Sequence, residues 1–206
     1  MHVLYGSRGS GAAAVEAALV LAAVPFRTVE AASWEPGPGL AELTRVNPLA
    51  QIPTLVLPDG SVMTESAAIL VHLGLAHPHS GLLPQDASQA IRCLVYIAAN
   101  CYAAIGIIDY PERYCSDADE DERQRIVAGT RQRLHHLWDV FADTFPAHPY
   151  LTGEHVGALD LLATVVSKWS GARAHLASSR PAFHALVQKV EADPRIAPIF
   201  ARHWPA

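Results

Sequence analysis

The sequence has no excess of positive charge, no long unbroken apolar segment and few cysteines. Its 206 residues carry 15 Lys and Arg against 20 Asp and Glu, a formal net charge of −5 at pH 7. A nucleic-acid-binding protein usually carries a basic stripe, so we expect no nucleic-acid partner. No stretch reaches the roughly 18 consecutive apolar residues that are typical of a membrane-spanning helix. We therefore expect no membrane partner.

The three cysteines, Cys93, Cys101 and Cys115, form neither a CxxC pair nor a spacing that indicates a metal site. The eleven histidines show no metal-ligand spacing either. So sparse a set of cysteines is typical of a reducing compartment, and we predict a cytoplasmic protein without a bound metal. The chain begins MHVLYGSRGSG, which lacks the basic-then-apolar form of a secretory signal and agrees with that location.

The first 76 residues alternate between strand patterns and helix patterns. We predict strands over residues 2–5, 26–31, 53–57 and 61–63. We predict helices over residues 12–23, 40–46 and 66–76, and a Pro- and Gly-rich loop over 32–39. The first two strands enclose a helix and should pair in parallel, whereas Pro58-Asp59-Gly60 predicts a hairpin turn between the last two. The predicted order, βαβαββα, is that of the thioredoxin fold.

Residues 77–86, HPHSGLLPQD, are rich in turn-forming residues and are predicted to be a linker. No strand pattern follows it. We predict helices over residues 87–108, 119–145, 159–169, 182–192 and 196–202. The sequence therefore indicates an α/β domain over 1–76, the linker over 77–86 and an all-α domain over 87–206.

This organisation and one segment resemble the soluble glutathione transferase family. The segment is NPLAQIPTLVLPDGSVMTESAAIL at 47–70, in which Asn47-Pro48, Gln51-Ile52-Pro53 and Glu65-Ser66 carry the resemblance by their spacing. The resemblance includes a second segment, YLTGEHVGALDLLA at 150–163, and covers essentially the whole chain. The resemblance implies a glutathione transferase-like fold, glutathione as co-substrate and a homodimer.

One position departs from the family pattern. The family usually has Ser or Thr three residues before the aspartate that corresponds to Asp160, whereas this sequence has Gly157. Glycine is an acceptable helix N-cap but supplies no side-chain acceptor. We expect the Asp160 carboxylate to accept a hydrogen bond from the Gly157 amide instead.

The resemblance implies a glutathione site whose residues suit the ligand. The γ-glutamyl end of glutathione carries an ammonium, which Glu65 can face, and a carboxylate. Ser66 can hold that carboxylate through its hydroxyl and the amides of a helix start. The bond before Pro53 is cis in the family, which would let Ile52 pair with the cysteinyl backbone as an added strand segment. Gln51 is predicted to lie near the γ-glutamyl end.

Catalysis requires the glutathione thiolate at neutral pH, although a free thiol has a pKa of about 8.5. In bacterial and serine-type members of the family, the place where the first loop enters the first helix holds the catalytic serine or cysteine, and with Ser10 there this sequence resembles a bacterial serine-type member. The resemblance therefore implies Ser10 as a hydrogen-bond donor to the thiolate. Tyr5, at the end of the first strand as in tyrosine-type members, is the main alternative, and Ser7 is the next.

The second substrate is expected to be a small apolar electrophile held between the two domains. The candidate wall residues are Tyr102, Tyr110, Tyr114 and Trp169. The predicted function is a detoxifying glutathione transferase. A glutathione-dependent lyase, isomerase, dehalogenase or peroxidase and a non-catalytic glutathione-binding protein are alternatives. A disulfide or dehydroascorbate reductase needs a protein cysteine to carry a mixed disulfide. Position 10 is serine, which argues against this class.

Overall fold

The structure is a computed structural model that describes residues 1–32 and 34–205. Position 33, in the predicted loop 32–39, and position 206, at the end of the predicted helical domain, lie outside the described residues. The strands are β1 (His2–Gly6), β2 (Phe26–Glu30), β3 (Thr54–Val56) and β4 (Val62–Met63). The helices among them are α1 (Ala12–Leu21), α2 (Pro38–Val46) and α3 (Ser66–Ala76). The thioredoxin-like order βαβαββα is confirmed.

The four strands form one sheet in the order β2-β1-β3-β4. Strand β1 pairs in parallel with β2, as predicted from the helix between them, and antiparallel with β3. Alternate residues of β1 face opposite sides of the sheet. Leu4 belongs to the main core with helices α1 and α3, whereas Tyr5 packs with Leu43 of α2 in a second cluster.

Helix α1 is buried on nearly all sides because it is built from small residues. Ala13, Ala14, Ala17 and Ala18 are completely buried in the main core. A helix that is apolar all round is characteristic of a protein interior. Helix α1 contacts both α3 and a helix of the C-terminal part, so it joins the two parts of the chain.

The C-terminal part, residues 77–205, is helical and has no strand among its described residues. Its α-helices are α4 (Ser88–Tyr96), α5 (Ala103–Asp109), α6 (Glu120–Thr144), α7 (Ala158–Val166), α8 (Ala172–Ser179), α9 (Pro181–Glu191) and α10 (Ala197–His203). A π-helical segment, Ile97–Tyr102, joins α4 to α5, so the predicted helix 87–108 is one continuous run with a widened turn. Helix α8 was not predicted, because only Ala172 and Leu176 of its eight residues are buried.

The continuous run Ser88–Asp109 is, by length and composition alone, long and apolar enough to cross a membrane. In the folded chain its residues Cys93, Leu94, Ile97 and Cys101 are buried in the main core. A central helix of a folded domain has the same apolar composition as a membrane span. Packing against α6 and α7 therefore accounts for the apolar residues on the buried side of this run.

The start of α7 explains the departure at Gly157. The buried Asp160 carboxylate accepts hydrogen bonds from the amides of Leu151 (2.8 Å), Thr152 (3.1 Å) and Gly157 (3.1 Å), which confirms the expected bond to Gly157. A Cβ on residue 157 would lie only 2.4 Å from Cγ2 of Thr152. Glycine stands here because Thr152 fills the space that a serine or threonine side chain would need.

Candidate active site

A cavity of about 660 Å³ lies between the N-terminal part and the helical part. Both parts contribute to its walls, which include the loop before α1, the start of α3, the π-helical segment and α5. The predicted site residues that line it are Ser10, Gln51, Ile52, Pro53, Glu65, Ser66, Tyr102, Tyr110 and Trp169. The fold therefore brings residues that are distant in sequence to a single cavity.

The beginning of α3 places two polar side chains at this cavity. Glu65 precedes the helix with a φ of 63°, a conformation that is uncommon for residues other than glycine and that clusters at ligand sites. Its carboxylate is exposed and forms no ion pair within the described part of the chain. Ser66 is buried at the first helical position, and neither side chain caps the helix. Both groups are therefore free to contact a ligand.

The loop before β3 presents backbone groups to the same cavity. The Ile52-Pro53 bond is cis. The buried Asn47 holds the loop, since its Nδ2 donates to the Gln51 carbonyl (3.2 Å) and to Thr54 Oγ1 (2.9 Å). Thr54 Oγ1 in turn donates to the Gln51 carbonyl at 2.7 Å. Sequence reasoning included Asn47 in the family motif but did not assign it this supporting role.

Ser10 lies at the cavity, but its hydroxyl already has partners. Ser10 Oγ donates to the Ser7 carbonyl at 2.6 Å and accepts from the amides of Ser7 and Ala12, both at 3.3 Å. These bonds close the turn that precedes α1. The hydroxyl proton therefore points back to the turn, and it must leave the Ser7 carbonyl before it can be donated to a ligand.

Gly9, beside Ser10, is held from the far end of the chain. Its amide donates to Nδ1 of His203 at 3.2 Å, and its carbonyl accepts from Nε1 of Trp169 at 3.2 Å. Nδ1 is therefore the unprotonated ring nitrogen, and Nε2 donates to the Glu16 carboxylate at 2.9 Å. Arg202 also pairs with Glu16. The sequence analysis did not predict this network. Its signal in the sequence is Glu16, an acid within the Ala-rich segment 12–21.

The other predicted residues lie elsewhere. Tyr5 is 3% exposed, and its hydroxyl donates to Glu42 Oε1 at 2.7 Å. Burial raises the pKa of Tyr5, and the bond to Glu42 raises it further. Tyr5, Ser7 and Tyr114 are not among the described residues that line the cavity, and Tyr114 is 61% exposed.

Aromatic side chains form the wall on the side of the helical part. The rings of Tyr102 and Trp169 lie 5.4 Å apart, centroid to centroid, and the Arg113 guanidinium lies 3.8 Å from the centre of the Tyr110 ring. Burial raises the pKa of Tyr102 to about 12, with smaller contributions from the carboxylates of Glu65 and Asp109. Tyr102 therefore remains protonated at neutral pH and is a hydrogen-bond donor there.

The cysteines lie outside the cavity lining. Cys93 and Cys101 are buried, and desolvation raises the pKa of their thiols to about 11 and about 12. Cys115 is exposed, and none of the three lines the cavity. Among residues 1–32 and 34–205, no group of three or more His, Cys, Asp or Glu side chains is arranged to hold a metal ion.

Comparison with known proteins assigns the chain to a family. The glutathione S-transferase N-terminal domain family matches residues 12–75. The GST-like protein YncG of Escherichia coli (strain K12) is 31% identical over 172 residues, which make up 82% of each chain. A glutathione S-transferase structure from Xylella fastidiosa has a TM-score of 0.84 at 20% identity, over 98% of both chains. A glutathione transferase homologue from Sulfitobacter, solved with bound glutathione, has a TM-score of 0.83 at 23% identity, over 97% of this chain and 96% of that one. The chain belongs to the soluble glutathione transferase family.

Proposed function

We propose that this protein is a glutathione transferase that binds glutathione in the cavity and directs its thiolate to an apolar electrophile. The observation that carries the proposal is the convergence of Glu65, Ser66 and the cis-proline loop on one cavity. A homologue of the same fold was solved with glutathione bound, which supports the choice of ligand.

In the proposed complex the γ-glutamyl end of glutathione lies at the start of α3. The Glu65 carboxylate pairs with the ammonium, and the Ser66 hydroxyl with the first-turn amides of α3 binds the carboxylate. A helix N-terminus favours an anion because its amides and its dipole both point toward it. The backbone of Ile52 pairs with the cysteinyl residue, and Gln51 lies beside the γ-glutamyl group.

Among the residues predicted from sequence to activate the thiol, Ser10 remains the proposed serine-type donor. It is at the cavity, and it precedes α1, whose N-terminus also favours a thiolate. The alternatives Tyr5 and Ser7 are less well supported. The Tyr5 hydroxyl is bonded to Glu42, and Ser7 contributes its backbone to the Ser10 turn.

The electrophile is proposed to lie against Tyr102, Tyr110 and Trp169, which supply an aromatic wall. Tyr114 would join this wall only after moving from its exposed position. We further propose a cytoplasmic homodimer that acts in detoxification. Leu75 of α3 and Val95 of α4 are exposed apolar side chains that support a subunit interface. A mass of one chain, 22.1 kDa, in light scattering at micromolar concentration would contradict the dimer.

The function is tested by calorimetric titration with glutathione, followed by turnover assays with a panel of electrophiles. Aryl halides and epoxides test transferase activity, alkyl halides dehalogenase activity and hydroperoxides peroxidase activity. Isomerisation of a cis-unsaturated carbonyl tests isomerase activity, and cleavage of an aryl ether tests lyase activity. We expect micromolar to millimolar binding and conjugation of at least one apolar electrophile. Binding without turnover on any member would favour a glutathione-binding protein, and absence of binding would refute the proposal.

A further inference from the structure

The Tyr102 hydroxyl is a donor at the cavity without a protein partner. It forms no hydrogen bond with any residue in the ranges 1–32 and 34–205, although its ring is fixed against Trp169. Tyr102 ends the π-helical segment Ile97–Tyr102, and such segments occur frequently at functional sites. A polar group held rigidly at a cavity without a partner is suited to contact a ligand.

The hydroxyl lies close to the beginning of α1. A Cβ placed on Gly11 would lie 2.7 Å from the Tyr102 oxygen and 3.5 Å from Cδ of Pro53. Because residue 11 is glycine and has no Cβ, the Tyr102 hydroxyl can lie close to its backbone. Tyr102, the first turn of α1 and the cis-proline meet at one point of the cavity, next to the Ile52 backbone.

The proposed function places the cysteinyl residue of glutathione at this point. If Ile52 pairs with the cysteinyl backbone, the sulfur lies beside Pro53, within reach of the amides that open α1 and of the Tyr102 hydroxyl. The hydroxyls of Ser10 and Tyr5 are bonded to Ser7 and Glu42 respectively. Tyr102 can donate without giving up an existing bond.

We propose that the Tyr102 hydroxyl donates a hydrogen bond to the glutathione thiolate and is a catalytic residue of this protein. This assignment rests on the proposed function. On ionisation the sulfur–hydrogen bond breaks and the thiol proton passes to water, while Tyr102 keeps its own proton throughout. The bond stabilises the thiolate relative to the thiol, so it lowers the pKa of bound glutathione and raises the fraction that can attack.

Burial supports a donor role. It raises the pKa of Tyr102 to about 12, so the hydroxyl stays neutral over the pH range in which the thiol ionises. A tyrosinate would instead repel the thiolate. The carboxylates of Glu65 and Asp109 act in the same direction on Tyr102 and strengthen its preference for the protonated form.

The test is Tyr102→Phe, which keeps the ring and its packing on Trp169. The ultraviolet thiolate absorbance of enzyme-bound glutathione is titrated with pH, and kcat/KM is measured with chlorodinitrobenzene. A hydrogen bond to a charged group predicts that the thiol pKa rises by about one to two units in the variant. We expect kcat/KM at neutral pH to fall about tenfold or more, and glutathione affinity below the thiol pKa to change less than about threefold.

Two controls make the result specific to the hydroxyl. Tyr110→Phe removes a hydroxyl from the same cavity, on a ring covered by Arg113, and should leave the thiol titration unchanged. Ser10→Ala should lower turnover and raise the thiol pKa less than Tyr102→Phe does. An unchanged thiol titration in Tyr102→Phe with normal glutathione binding, or a larger shift in Ser10→Ala, would overturn this assignment but not the proposed function. Absence of glutathione binding by the unaltered protein would overturn both.

Discussion

The beginnings of α1 and α3 face the same cavity but are built in opposite ways. At α3, the Glu65 carboxylate and the Ser66 hydroxyl have no partners within the described residues. At α1, the Ser10 hydroxyl is bonded to its own turn, and both backbone groups of Gly9 are bonded to the C-terminal part. Under the proposed function, the free groups at the start of α3 bind the γ-glutamyl end of glutathione, whereas the protein's own bonds hold the start of α1 in shape beside the thiol.

The beginning of α7 is a third case and supports this distinction. There a buried carboxylate, Asp160, accepts hydrogen bonds from three amides, and neither Asp160 nor Gly157 lines the cavity between the two parts of the chain. Desolvation raises the pKa of Asp160, which the bonds to Leu151, Thr152 and Gly157 oppose. A helix start whose polar groups are all satisfied by the protein stabilises the fold, and one whose groups are free is available for binding. Substitutions at the three helix starts should therefore separate binding from stability.

The largest effect on binding is expected for Glu65→Ala. The ammonium of glutathione would lose a charged partner that is worth about 1.5–3 kcal/mol, so affinity should fall by about one to two powers of ten. The melting temperature should change little, because no described residue pairs with Glu65. Calorimetry on this variant and on Glu154→Ala, an exposed acid outside the cavity, measures the difference. Unchanged affinity together with a large drop in melting temperature would make Glu65 a structural residue.

His203, the last residue of α10, supports the start of α1 through Gly9. We expect His203→Ala to lower stability and to leave glutathione binding nearly unchanged, which is the opposite of Glu65→Ala. The Gly9 amide and the buried Glu16 carboxylate each lose a partner, although Arg202 still pairs with Glu16. Leaving buried groups unsatisfied costs about 1–3 kcal/mol of unfolding free energy. Denaturant unfolding should show this loss, whereas glutathione affinity should stay within about threefold. His155→Ala, at an exposed histidine, is the matched control. A variant of normal stability that binds glutathione poorly would place His203 in the ligand site.

These two helix starts also show what the sequence could predict. The helix predicted over residues 66–76 coincides with α3. Local patterns sufficed here because a Pro-Asp-Gly turn and a short apolar strand precede the helix and a proline follows it. The free groups at Glu65 and Ser66 follow from the family motif. The partners of Gly9 do not, since Trp169 and His203 are 160 and 194 residues away in the sequence. The bond between Tyr5 and Glu42 could not be predicted either, because the two residues are 37 positions apart in the sequence.

A moderate loss of stability is expected for Gly157→Ala at the start of α7. The added methyl group would meet Thr152 at 2.4 Å, and the resulting overpacking should cost about 1–2 kcal/mol. The matched control is Gly129→Ala on the exposed face of α6, where a Cβ would meet nothing within 4 Å. That change should stabilise the protein by about 0.5–1 kcal/mol through helix propensity. Equal effects at the two glycines, measured by urea unfolding, would refute the role given to Thr152.

The smallest effect is expected for Tyr5→Phe, on the face of the sheet opposite α1. The change removes one hydrogen bond, to the partly exposed Glu42, and keeps the ring in its cluster with Leu43. Such a bond contributes about 0.5–1.5 kcal/mol, and Glu42 keeps its ion pair with Arg27. Glutathione affinity, turnover and the thiol titration should all match those of the unaltered protein, since the Tyr5 hydroxyl does not reach the cavity. A large loss of turnover with an unchanged melting temperature would instead make Tyr5 the thiol-activating residue, and the α1 side of the cavity would then have to open before catalysis.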